Sequence, residues 1–149
     1  MTNSNKVENR AVFLNMIAWG SIWGIFETTV GYLLHLLPFN IGWLIWYPAA
    51  CFFMANVYRK TRKVSSVFFT GLLCASIKMF NLFLPVRIDK VTNPAISIVF
   101  EALVIAMVIF LVNRLTEEKR KNSFSKILVA FVMNTGWRLM FILYMLFLV

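Results

Sequence analysis

The chain has 149 residues, of which 60% are hydrophobic, 16% aromatic and only 14% charged, too few charges to clothe a soluble domain. Five helices of about 20 residues, each able to cross ~30 Å of hydrocarbon, would use most of that length, so residues 1–149 read as one transmembrane domain with no room for a second. The net charge of +9 sits in short connections between apolar runs, where it orients a membrane protein and does not point to nucleic acid.

The first ten residues, MTNSNKVENR, are polar, and the apolar stretch from Ala11 to Leu37 is too long for a signal-peptide core and lacks an A-x-A-like cleavage site. It predicts a retained first helix over 11–37. Further apolar runs predict helices over 41–58, 64–84, 94–113 and 124–149, separated by LPFN, RKTRK, PVRIDKVTN and the polar stretch from Arg114 to Ser123. The fold class expected is therefore all-α, a polytopic membrane bundle of about five helices. Pro38, Pro85 and Pro94 fall at run boundaries, whereas Pro48 falls inside the second run and predicts a kinked or shortened helix there. The last nine residues, FILYMLFLV, stop while still apolar. Cys51 and Cys74 both fall mid-run and read as reduced packing residues.

Lysines and arginines set the expected orientation. Lys6, Arg10, Arg59, Lys60, Arg62, Lys63, Arg114, Lys119, Arg120, Lys121 and Lys126 are eleven on one side, against Arg87 and Lys90 on the other. Five alternating crossings of the cell membrane with the N-terminus in the cytoplasm satisfy the positive-inside rule. The RKTRK corner has the composition of an anionic-lipid patch, but its topogenic role already accounts for it.

Four ionisable residues lie within the runs: Glu27, Lys78, Glu101 and Arg138, one in each of four helices. Facing lipid, each would cost about 2.5–3.5 kcal/mol or more, so an inward orientation is expected. Helical spacing supports it. Gly20, Gly24, Glu27 and Gly31 share a face, as do Gly71, Cys74, Lys78 and Asn81, then Pro94, Ser97 and Glu101, then Asn134 and Arg138. His35, Arg87 and Asn93 fall near the external ends of the same helices, where His35 is either a solvated residue or a ligand or proton relay. The bland alternative is that two acids and two bases merely pair to hold helices in register.

Trp19, Trp23, Trp43, Trp46 and Trp137 suit an interfacial belt, with Trp23 and Trp137 deep enough to wall a flat ligand instead. Gly20-x-x-x-Gly24 permits close approach of a helix from within the bundle or from another subunit. No Walker A, H-E-x-x-H, G-x-S-x-G or C-x-x-C motif occurs, so neither an enzyme nor a metal or cofactor site is expected.

The segments WGSIWGIFETTVGYLLHLLPF, KMFNLFLP and NPAISIVFEALVIA resemble the substrate-binding S components of energy-coupling factor transporters. The resemblance covers helices 1 to 4. It implies a compact bundle that takes up a vitamin or other micronutrient and associates with a membrane coupling subunit and two ATPases. It also implies that small residues on helix 1, here Ala11, Gly20 and Gly24, contact that subunit. The sequence departs in having five runs where six helices are usual, compatible with a shortened bundle, and in carrying no vitamin-specific signature.

The reading is thus a membrane subunit binding a small polar or zwitterionic molecule. Glu27 and Glu101 would face its cationic groups, Lys78 and Arg138 its anionic ones, with Trp23, Trp137, Asn81, Asn134 and His35 around them. The rivals are a proton-coupled cation or multidrug transporter working through Glu27, and a non-catalytic scaffold.

Overall fold

The computed structural model describes residues 3–35, 42–85, 87–114 and 123–148. Among them every regular element is helical: α1 (Asn3–His35), α2 (Gly42–Thr61), α3 (Val64–Met79) with a 3₁₀ turn, η1 (Phe80–Phe83), α4 (Asp89–Arg114) and α5 (Ser123–Leu148). Three helical stretches, Val64–Phe83, Asp89–Arg114 and Leu128–Phe147, are long and apolar enough to cross a membrane, which supports membrane association.

Helix α3 is the centre of the bundle, packed on α1 along one side and on α4 along the other. Helix α2 lies across α1 and α3, and α5 rides on α4 at the edge. Close approach of α1 to α3 depends on missing side chains. A Cβ on Gly24 would stand 2.8 Å from Ile77 Cβ, and one on Gly20 would stand 2.9 Å from Leu73 Cδ2. The small-residue face of α1 is therefore occupied by α3 of the same chain. Trp23, Met54, Val67, Cys74 and Ala102 are fully buried where α1 to α4 meet. Trp23 stacks on Phe53 at 6.0 Å and Trp19 meets Phe52 and Phe53 edge-on, so an aromatic layer fills the α1–α2 contact. Cys51 and Cys74 are free thiols, as the sequence predicts.

Two helix starts and one expected break depart from the sequence expectation. Helix α1 starts at Asn3, well before Ala11, and Glu8 and Asn9 near its start meet the α2–α3 corner. Lys63 Nζ donates to Asn9 Oδ1 at 3.0 Å and lies 3.7 Å from Glu8 Oε1. Helix α4 starts at Asp89 and takes Pro94 inside it. So near a helix start, the missing N–H removes a single bond. Helix α2 likewise continues through Pro48, whose ring lies on the exposed side.

The basic corner between α2 and α3 is tight. Arg62 closes it with φ 54° and its N–H donates to Tyr58 O at 2.8 Å, an αL cap on α2. The Thr61 and Ser66 hydroxyls are bonded to each other, and Ser66 Oγ donates to Lys63 O at 2.6 Å.

Candidate functional site

The charged residues fall into two adjoining groups. The first joins α1 and α3. Lys78 is 3% exposed, and its Nζ donates to the main-chain oxygen of Glu27 at 2.6 Å while standing 3.9 Å from Glu27 Oε2. Within an α-helix the carbonyl of residue 27 points toward residue 31, and residue 31 is glycine. A Cβ there would lie 2.5 Å from Lys78 Nζ, so the bare backbone of Gly31 makes room for the ammonium. The ring of Trp46 covers it, 6.0 Å from Nζ to the centroid. Glu27 itself is 5% exposed.

The second group joins α2, α4 and α5. Glu101 is buried on α4, within electrostatic reach of both Glu27 and Arg138. Tyr47 and Cys51, one turn apart on α2, feel the same carboxyl group. On α5 the Arg138 guanidinium lies 5.3 Å from the Trp137 ring, which stacks on Tyr47 at 6.3 Å. Asn134 is one turn earlier on α5. Cys74 of α3, fully buried, interacts with Glu27, Lys78 and Glu101 alike, which puts it between the two groups.

Buried polar atoms ordinarily find partners, and leaving one unmade costs about 1–3 kcal/mol. Among the described residues, the buried side-chain nitrogens and oxygens without one are Trp23 Nε1, Trp137 Nε1 and Asn134 Oδ1. Trp23 Nε1 interacts with the Glu27 carboxyl, yet outside hydrogen-bonding geometry. All three residues belong to the two charged groups. Beside its acids and bases the arrangement therefore holds two indole donors and an amide acceptor whose bonding capacity the described residues do not use up.

The predicted residues are only partly brought together. Glu27, Lys78 and Trp23 fall in the first group, and Glu101 and Trp137 in the second, with Asn134 one turn from Arg138. Arg138 reaches Glu101 electrostatically but is exposed on the surface of the isolated chain, because α5 packs chiefly on α4 and leaves its outer side uncovered. Asn81 falls in η1, beyond the end of α3. His35 closes α1, and its side chain lies outside the described residues, as does that of Trp43. Ala11 is exposed on the early turns of α1. Sequence reasoning missed Tyr47 and the covering role of Trp46. Both precede Pro48, where the expected break hid that α2 presents one side chain to each group. No cluster of metal-ligating side chains occurs among the described residues.

No family model, curated protein or solved structure matches the chain.

Proposed function

We propose that this chain is a multi-pass cell-membrane protein with five spans and a cytoplasmic N-terminus, serving as the substrate-binding subunit of an uptake system energised by partner ATPases. Its substrate is a small polar molecule with separated cationic and anionic groups, held where α2, α4 and α5 meet. The one observation that carries this reading is that Glu101 and Arg138 stand together with the unpartnered Asn134 Oδ1 and Trp137 Nε1. A cationic group beside Glu101 and an anionic group beside Arg138 would suit their charges, and hydrogen bonds to Asn134 Oδ1 and Trp137 Nε1 would use the capacity those two atoms have left. Eleven basic residues against two across the alternating connections support the five spans and the orientation.

Native mass spectrometry of the protein in nanodiscs, after gentle extraction through an N-terminal tag, tests the reading. It expects a retained metabolite of that class and co-purifying ATPases, with the metabolite lost from Arg138→Gln and Glu101→Gln. Wild-type retention in both variants would remove the site. A second reading, a helix scaffold, is favoured by one specific observation: Lys78 already ties α3 to α1 by donating to Glu27 O. It expects no metabolite and a stability defect alone.

A further inference from the structure

At the basic end of the bundle a groove of about 280 Å³ opens between α2, α4 and α5, lined by Tyr58, Arg62, Ile109, Asn113, Val129 and Met133. That is below the roughly 300–1,000 Å³ that encloses a whole drug-sized ligand, so the groove fits part of a larger molecule. Its walls are apolar along α4 and α5, and its polar groups gather at the rim. Asn113 Nδ2 donates to Tyr58 Oη at 2.8 Å, so the phenolic hydrogen remains available to donate outward.

The cation at the rim is Arg62. Of its basic neighbours, Lys60 lies over Trp19, Lys63 reaches Asn9 and Glu8, and Arg114 lies over Phe110, while Arg59 lies outside the groove lining. Arg62 makes no ion pair or side-chain hydrogen bond among the described residues. Among the described residues it is also the non-glycine held at positive φ, where glycine would fit with less strain. An arginine kept in a glycine's conformation, pointing into a groove with apolar walls and a free phenolic donor, calls for an anionic partner with an apolar tail.

We propose that this groove binds one anionic glycerophospholipid from the leaflet at the basic end. The phosphate bonds Arg62 and the Tyr58 hydroxyl, and the first acyl methylenes lie along Ile109, Val129 and Met133. The site is separate from the charged groups deeper in the bundle and does not depend on the substrate assigned there.

The test is native mass spectrometry of protein from nanodiscs of phosphatidylcholine containing a minor fraction of phosphatidylglycerol, using three variants. Arg62→Gly suits the backbone at φ 54°, so it folds and melts like wild type in pure phosphatidylcholine. It retains roughly tenfold less phosphatidylglycerol, the change expected on losing a charge-assisted bond. Met133→Trp fills the groove and gives the same loss. Arg59→Gln removes an equal charge outside the groove and leaves retention unchanged. Equal loss from Arg59→Gln and Arg62→Gly would show a diffuse surface field and overturn the site, as would undiminished retention in Met133→Trp.

Discussion

Replacing Lys78 by methionine keeps the apolar stem and removes the ammonium, and the structure sets the size of the effect. Lys78 Nζ loses a 2.6 Å bond to Glu27 O and its place 3.9 Å from Glu27 Oε2, both inside a contact where the two side chains are almost wholly covered. Glu27 is then a buried carboxylate without its counter-charge, a change worth about 3–5 kcal/mol. Glu27→Gln acts differently, because the shorter of the two contacts is to the main chain and survives. It should destabilise by about 1–3 kcal/mol. The double variant removes both charges, leaves neither uncompensated, and should be more stable than Lys78→Met alone. Reversible unfolding in mixed micelles gives all three values as a double-mutant cycle. If the double variant loses the sum of the two single losses, the residues do not act as a pair and the reasoning fails.

Gly24→Ala should destabilise more than Gly31→Ala in the same assay, by about 1–3 kcal/mol against wild type. Its new methyl meets Ile77 Cβ, fixed to the α3 backbone, whereas the one on Gly31 meets the far end of the Lys78 side chain. Gly31→Ala should instead lower the coupling energy measured between Glu27 and Lys78. Trp137→Phe keeps a ring against Tyr47 and deletes the unpartnered N–H. It should leave stability within about 1 kcal/mol of wild type while weakening binding of the retained metabolite, and calorimetry on the same preparation reads both.

Much of the fold is legible because apolar runs broken by basic or proline-bearing turns mark helices without reference to their neighbours. What periodicity could not supply is tertiary. Lys63 reaches Asn9 and Glu8 near the start of α1 from more than fifty residues away in sequence. The face holding Gly20, Gly24, Glu27 and Gly31 could be drawn from helical spacing alone, and all four are buried. Which base meets Glu27 could not, because Lys78 and Arg138 fit equally by depth. Nor does spacing reveal that α5 lies at the edge, which is why Arg138 is more exposed than its position in an apolar run suggests.

That edge position has a consequence for binding. Helix α5 brings Arg138, Trp137 and Asn134 to the site, yet its apolar stretch Leu128–Phe147 has no buried residue in the window that qualifies it as a span. It approaches α4 closely at Gly136, where a Cβ would stand 2.9 Å from Val104 Cγ1. The central helix α3, by contrast, is enclosed by α1 and α4. Helices with few buried contacts open at lower free energy than enclosed ones, so α5 is the element a ligand between α2 and α4 would have to order. Hydrogen exchange in nanodiscs should show α5 amides exchanging faster than those of α3, and slowing when the retained metabolite is added back after its removal. A bound metabolite that protects α1 and α3 while leaving α5 unchanged would place the ligand at Glu27 and Lys78 and refute the assignment to α2, α4 and α5.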